Sequence, residues 1–219
     1  MDGNGSVVTW RVGFWAAVLS ALFSLLYVSF QLAEWAGLLG SAGGPESAST
    51  PLGIALLLTP SVLLAPSFVV LMTGIRHLVP DSRQIWAQAG VAFATVYATL
   101  IGIVYYVQLT LVMPRMLQGR TDDVEVLLFT PFDSFLYSVD LLGYSSMSLA
   151  TLFASFGLIG IALTRTACLF LLANGLLLPF LLFQIYVHSL IYIAALWAVT
   201  FPGAAIALAI VFRRRMRDT

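Results

Sequence analysis

The amino-acid sequence predicts an all-α fold, a polytopic membrane bundle of six transmembrane helices with both termini in the cytoplasm. The first observation is composition: of 219 residues, 60% are hydrophobic and only 9% are charged, whereas a soluble domain carries about 25% charged residues. The second is a series of apolar runs, each long enough to cross a hydrocarbon core of about 30 Å. The third is an uneven distribution of arginine. We expect residues 1–219 to form one domain, because the helices can bury polar faces only against one another.

Short polar or glycine- and proline-rich segments separate the apolar runs. The first run exceeds the apolar core of a signal peptide, about 7–15 residues, so we interpret it as a retained span. The last run, residues 167–212, is about twice the length of one crossing and must fold back. We place its turn at residues 186–189. The spans are predicted at about residues 12–39, 51–75, 85–113, 132–163, 167–187 and 189–212.

Four spans have sequence features that predict local structure. Pro60 and Pro66 lie inside the second span, where neighbouring helices can satisfy the freed carbonyls. The fourth span would be about 48 Å long, so its first turns should protrude or tilt. Asn174-Gly175 in the fifth span predicts packing or a bend. The third span carries small residues every four positions, which lets another helix approach closely: Gly90, Ala94, Ala98 and Gly102.

The arginines orient the bundle. All ten basic residues are arginine, and six spans place both termini on one side of the membrane. Eight arginines fall on that side and only two, Arg115 and Arg120, on the other, where the acidic loop 114–131 lies. Basic residues are enriched in cytoplasmic segments, so we expect cytoplasmic termini. The predicted location is the cell membrane, specifically the plasma membrane of a prokaryote, with the lipid bilayer as the first partner.

The residues present also exclude several functional classes. A retinal Schiff base requires a lysine, and the chain has none. Haem ligation by two histidines fails because His77 and His188 fall on opposite sides. Cys168 is the only cysteine, and no Cys/His cluster has metal-ligand spacing. The arginine run at residues 213–217 directly follows a span, so it indicates topology and not a nucleic-acid site. We predict no metal, no cofactor and no nucleic-acid partner.

A polar stripe on the fourth span is the clearest functional signal. Its members are spaced by 4, 3, 4, 4 and 3 residues, so they share one helix face. A one-sided polar stripe in an apolar helix should face other polar groups in the bundle interior. The stripe consists of Asp133, Tyr137, Asp140, Tyr144, Ser148 and Thr151.

Polar side chains cluster at the outer ends of five predicted spans, while the inner halves are almost entirely apolar. Besides the stripe, these are Gln31 and Glu34 in the first span, Tyr105, Tyr106 and Gln108 in the third, Gln184, Tyr186 and His188 in the fifth, and Ser189 and Tyr192 in the sixth.

This clustering predicts a polar pocket that opens outward. Asp140, Glu34 and His188 are the candidates for acid–base chemistry. The predicted ligand contacts are Asp133, Tyr137, Asp140, Tyr144, Tyr105, Gln108, Gln31 and Gln184.

Each candidate also has a structural interpretation. Asp133 either caps the fourth helix or contacts a ligand. Asp140 is two turns deeper and cannot cap; it is a functional group or forms an interhelical hydrogen bond. Glu34 fits the headgroup layer beside Trp35, and His188 fits a polar turn or a proton carrier paired with one of the two acids. The glutamines are typical of helix–helix hydrogen bonds, and the tyrosines of interfacial belts.

Two segments carry a resemblance to known proteins. Tyr105-Tyr-Val-Gln-Leu-Thr-Leu-Val112, with the acidic loop and Asp140-Leu-Leu-Gly-Tyr-Ser-Ser-Met-Ser-Leu-Ala150, resembles uncharacterised prokaryotic multi-pass membrane proteins. The resemblance covers the third and fourth spans and their loop. It implies that Gln108 and Asp140-x-x-Gly-Tyr144 belong to a recurring pattern, and it implies no activity.

Four functions are consistent with the sequence. The first is binding or sensing of a small or lipid-like ligand in the pocket. The second is an intramembrane enzyme that uses an acid and a base on an isoprenoid or lipid. The third is a proton- or ion-coupled transporter, which needs a polar route to the cytoplasm. The fourth is an assembly subunit whose polar groups only join helices; whether the chain is part of an oligomer stays open.

Overall fold

The computed structural model describes residues 3–218, and side chains from Val7 onward. Within this range every regular element is helical. The helices are α1 (Gly3–Trp35), α2 (Pro51–Arg76), α3 (Gln84–Val107), α4 (Met113–Leu117), α5 (Phe135–Leu158), α6 (Arg165–Gly175), α7 (Leu178–Phe183), α8 (Ile191–Ala194) and α9 (Trp197–Arg217).

The helices form six segments that are long and apolar enough to cross a membrane, which confirms the predicted all-α bundle. Each of the third, fifth and sixth segments combines several of these helices. The six segments are Val7–Trp35, Pro51–Arg76, Asp81–Leu117, Phe135–Leu158, Ala162–Phe183 and His188–Arg217.

Neighbouring segments pack in a closed ring. Helix α1 contacts α2, α2 contacts α3, α3 contacts α5, α5 contacts α6, α6 contacts α9, and α9 returns to α1. We call the end that holds the start of α1 and the end of α9 the terminal end. The opposite end, with the α1–α2, α4–α5 and α7–α8 connections, is the loop end.

Helix α5 is shorter than the predicted fourth span. It has 24 residues, about 36 Å at 1.5 Å per residue. Its N-cap is Ser134, whose hydroxyl accepts a hydrogen bond from the Tyr137 backbone N–H at 3.2 Å. The interpretation of Asp133 as the cap is therefore wrong, because the cap is the next residue along the chain. The helix ends before Gly160, whose φ of +82° turns the backbone out of the helix.

Other boundaries also shift. Helix α1 begins before the predicted residue 12 and ends at Trp35, because the backbone turns at Gly37 with φ +74°. A 3₁₀ turn at Ala162–Thr164 precedes α6, which starts at Arg165. The chain reverses between Phe183 and His188.

Only one end of the small-residue row on α3 packs closely against another helix. A Cβ on Gly90 would lie 3.1 Å from the Ala150 carbonyl oxygen, so α3 and α5 approach closely there. A Cβ on Gly102 would have no neighbour within 4 Å, so this end of the row packs against nothing. Among the described glycines the closest approach is at Gly175, where a Cβ would lie 2.6 Å from the Cβ of Leu152 on α5.

A layer of aromatic side chains closes the middle of the bundle. Phe68 contacts both Tyr97 and Phe201 edge to face, with ring centroids 5.4 Å apart in each pair. Phe201 stacks on Trp197 at 5.8 Å. Phe68, Tyr97 and Phe201 are fully buried, so the bundle is solidly packed at this level.

Candidate functional site

A cavity of about 360 Å³ lies between the aromatic layer and the loop end. Its lining includes residues from the α1–α2 loop at 45–49 and from the α4–α5 connection at 128–131. Side chains from all six membrane-spanning segments contribute to its wall. We call it the Asp140 cavity, after the deepest carboxyl on α5.

The fold brings together eight of the ten candidate residues from the sequence. They come from α1, from the α3 region, from α5 and from the α7–α8 turn, as the shared-end argument predicts. The residues that line the Asp140 cavity are Gln31, Glu34, Tyr105, Gln108, Tyr137, Asp140, Tyr144 and Gln184.

Two candidates do not line the cavity. Asp133 is exposed in the loop before α5. His188 lies outside the cavity, where its Nδ1 is 3.0 Å from Glu46 Oε1 and its ring stacks on Phe132 at 4.0 Å. The histidine therefore connects the α1–α2 loop, the segment that precedes α5 and the α7–α8 turn. Its suggested pairing with Asp140 or Glu34 is not found.

Asp140 lies among tyrosines. Its side chain is 7% exposed, and Tyr105, Tyr137 and Tyr144 line the same cavity. Tyr105 donates a hydrogen bond to the Tyr144 hydroxyl at 3.3 Å. Asp140 Oδ1 has no hydrogen-bond partner among residues 3–218. A buried acceptor in this state is costly, by about 1–3 kcal/mol.

Glu34 lies against the first turn of α2. A Cβ on Gly53 would be 2.8 Å from Glu34 Oε2, so this carboxyl fits only beside a glycine. The side chain is 2% exposed, which contradicts its interpretation as a headgroup-layer residue. The positive end of a helix dipole favours a carboxylate at this position. Neither carboxyl oxygen has a hydrogen-bond partner in the described part of the chain.

Gln108 occupies the start of a π-helical turn, Gln108–Val112, which joins α3 to α4. Such turns are frequent at functional sites because they redirect side chains. Gln108 Nε2 donates to the Leu127 carbonyl oxygen at 2.6 Å, so it ties the α4–α5 connection to α3. Its Oε1 lacks a partner among the described residues. The acceptor is the last residue of a short 3₁₀ helix, Asp122–Leu127, and not a residue of another membrane-spanning helix.

The remaining glutamines make side-chain hydrogen bonds at the cavity wall. Tyr137 donates to Gln184 Oε1 at 3.4 Å and thereby joins α5 to the end of α7. Gln31 Oε1 accepts a hydrogen bond from Tyr27 at 2.9 Å. These bonds orient the side chains that surround Asp140.

Two aromatic residues, Tyr27 and Trp197, are among the wall residues that sequence reasoning missed. Tyr27 lies four and seven positions before Gln31 and Glu34, so helical periodicity could have placed it on the same face. Trp197 gave no such signal. Its ring packs edge to face with Tyr27 at 5.6 Å and with Tyr144 at 5.7 Å, and its indole N–H points to Met147 Sδ. These three rings form the cavity floor.

The lower part of the α5 stripe has a structural role at Thr151. Asn174 Nδ2 donates to Thr151 Oγ1 at 3.1 Å, and Thr200 Oγ1 donates to Asn174 Oδ1 at 2.9 Å. One buried amide thus joins α5, α6 and α9. The bend predicted at Asn174-Gly175 is also present, since α6 ends at Gly175 and α7 starts at Leu178.

The chemistry available in the cavity is that of hydrogen-bond acceptors in an aromatic and aliphatic wall. Two carboxyls and several tyrosine hydroxyls face it, and no arginine or histidine lines it among the described residues. No group of three or more His, Cys, Asp and Glu side chains within residues 3–218 is arranged to hold a metal ion. Comparison with protein families, curated proteins and solved structures found no match to this chain.

Proposed function

We propose that this integral membrane protein binds or senses a small or lipid-like ligand in the Asp140 cavity. One observation carries the proposal: Asp140, Glu34 and Gln108 line a single cavity, and each has a buried acceptor atom without a protein partner among the described residues. A ligand that donates hydrogen bonds would recover the cost of burying them. The volume, about 360 Å³, lies within the range of small-molecule sites, about 300–1,000 Å³.

We further propose that the terminal end is cytoplasmic and that the cavity opens to the exterior. Gly13 of α1 packs beside Gly74 of α2 and Phe212 of α9, so these three helices share the terminal end. Eight of the ten arginines belong to segments at that end, whereas Arg115 and Arg120 lie at the loop end. This bias supports cytoplasmic termini.

The orientation makes a direct labelling prediction. Cys168 is replaced by serine, and single cysteines are introduced at Gln118 in the α4–α5 connection or at Ser82 in the α2–α3 turn; both positions are exposed. In intact cells a membrane-impermeant maleimide should label Gln118→Cys and should label Ser82→Cys only after permeabilisation. The reverse pattern would overturn the orientation and leave the cavity proposal untouched.

Ligand binding is tested with a neutral photoreactive probe, an alkanol that carries a diazirine. In lipid nanodiscs we expect saturable labelling of α1 and α5 peptides that include Tyr27 and Tyr144. Ala198→Phe should reduce this labelling at least fivefold, because Ala198 lines the cavity and the larger side chain fills it. The readout is peptide mass spectrometry.

Ala209→Phe is the matched control, since Ala209 lies on the same helix and lines only a shallow groove against α1. It should leave labelling unchanged. Labelling that is not saturable, or that Ala198→Phe and Ala209→Phe affect equally, would contradict a ligand site in the cavity.

A second candidate function is an intramembrane enzyme on an isoprenoid or lipid. The observation that favours it is the presence of two carboxyls, Asp140 and Glu34, in one cavity. An acid–base mechanism needs both groups in reach of one reacting atom, directly or through one water. Transport receives no support, because Phe68, Tyr97 and Phe201 fill the bundle below the cavity.

A further inference from the structure

The unpartnered polar atoms in the cavity are all of one kind. They are Asp140 Oδ1, Gln108 Oε1 and both carboxyl oxygens of Glu34, and each is a hydrogen-bond acceptor. The amide nitrogens nearby are already used, since Gln108 Nε2 and Gln184 Nε2 donate to backbone carbonyls. The Tyr27, Tyr105 and Tyr137 hydroxyls also donate within the protein, so the unused hydrogen-bonding capacity of these buried groups is mainly that of acceptors.

Charge at the wall is equally one-sided. The lining contains two carboxyls and no basic side chain among the described residues. Glu34 lies against the first turn of α2, where backbone N–H groups supply partial positive charge. Asp140 is on the inner face of α5, five residues after the first residue of the helix, and has no such compensation from its own helix. A buried carboxyl in this setting favours a cationic partner.

The walls suit a cation as well. Tyr27, Tyr144 and Trp197 pack edge to face at the floor, with centroids 5.6 and 5.7 Å apart. Trp35 also lines the cavity. Aromatic faces attract cations through the ring quadrupole, and tryptophan is the strongest. Leu57, Leu141 and Leu181 provide an apolar surface beside them.

We propose that the ligand is an amphiphilic organic amine bound as its cation. Its N–H groups reach Asp140, with Gln108 and Glu34 as further acceptors, and its apolar body lies against the rings and leucines. Charge-assisted hydrogen bonds between N⁺–H and a carboxylate are about twice as strong as neutral ones. The inference rests on the proposed function, because it assigns the ligand class of the same cavity.

The test compares two probes that differ only in the polar group, 4-phenylbutylamine and 4-phenylbutan-1-ol. Apparent Kd values come from thermal unfolding midpoints over a concentration series, in nanodiscs of zwitterionic lipid so that the membrane does not concentrate the amine. We expect the amine to bind wild type at least tenfold more tightly than the alcohol. In Asp140→Asn the ratio should fall below threefold, while Asp140→Glu should retain most of it.

Two further variants locate the effect. Ala198→Phe should remove specific binding of both probes, which gives the background from lipid partitioning. Gly53→Ala displaces the Glu34 carboxyl, because the added Cβ would lie 2.8 Å from Glu34 Oε2. It should weaken amine binding two- to fivefold and leave the alcohol unaffected.

The outcomes separate the two proposals. Equal affinity of wild type for amine and alcohol, both lost in Ala198→Phe, would overturn the amine assignment and support a neutral ligand in the same cavity. This comparison needs no folded Asp140 variant. An amine preference that persists in Asp140→Asn would overturn the anchor role of Asp140. Binding of neither probe, together with no saturable photolabelling, would overturn the proposed function as well.

Discussion

Replacing Gly175 with alanine should destabilise the folded protein by about 3 kcal/mol, the largest effect we expect from adding one methyl group. The new Cβ would lie 2.6 Å from Leu152 Cβ, 2.8 Å from its Cα and 3.0 Å from its backbone nitrogen. Two of these atoms belong to the α5 backbone, so a side-chain rotation cannot relieve the overlap. Overpacking of this kind costs about 1–3 kcal/mol or more. The measurement is the free energy of unfolding in mixed micelles.

Gly102→Ala is the matched control. It adds the same methyl group to a span at a position with no neighbour within 4 Å of the new Cβ. Alanine is favoured over glycine inside a helix by up to about 1 kcal/mol, so this variant should equal or exceed wild type in stability. If Gly175→Ala and Gly102→Ala have the same stability, the close packing of α5 and α6 is not as described.

The second large effect is expected at Asn174. Asn174→Asp should cost about 3 kcal/mol, because its carboxylate would be buried in the membrane without a cationic partner. It would also present an oxygen where the amide now donates to Thr151. The free energy of unfolding in the same mixed micelles provides the measurement.

Asn174→Leu separates charge from hydrogen bonding at that position. It removes both amide bonds, but Thr151 still donates to the Ser148 carbonyl, and the Thr200 hydroxyl can donate to the Leu196 carbonyl instead of to residue 174. Interhelical hydrogen bonds in membranes average about 0.6 kcal/mol, with a maximum near 1.7. Asn174→Leu should therefore cost about 1–2 kcal/mol, and a cost equal to that of Asn174→Asp would show that shape, not charge, decides.

The two groups of experiments address different parts of the molecule. Gly175 and Asn174 report on contacts of α6 with α5 and, for Asn174, with α9. Asp140, Glu34 and Ala198 report on the cavity. A ligand effect that changes with the first group but not with the second would place the ligand somewhere else.

Most of the candidate site followed from two regularities of the sequence. Helical spacing placed Tyr137, Asp140 and Tyr144 on one face. Alternation of span direction then put Gln31 and Gln184 at the same end of the bundle. Both regularities depend only on helix geometry and on the number of crossings, so they survive errors of several residues in the span boundaries.

Other features of the structure could not be predicted from these regularities. The His188–Glu46 pair and the stacking of His188 on Phe132 join three loops. Turns determine which loops come close to one another, and the sequence of a turn has no periodic pattern from which this could be predicted. The burial of Glu34 depends on a neighbouring glycine on another helix, Gly53. Such pairings are not encoded by the spacing of either helix alone.

The sequence by itself determined the fold class, the number of crossings and the end of the bundle at which polar groups collect. Apolar length and helical period decide these properties locally, one segment at a time. Only the tertiary structure decided which groups share a cavity, because helix rotation and close approach depend on contacts between residues far apart in sequence. Trp197 and Gly175 show this: each acts through a neighbour on another helix, Tyr144 or Leu152. The ring of six segments places Asp140, Glu34 and Gln108, each with an acceptor that lacks a partner among the described residues, at the wall of one cavity.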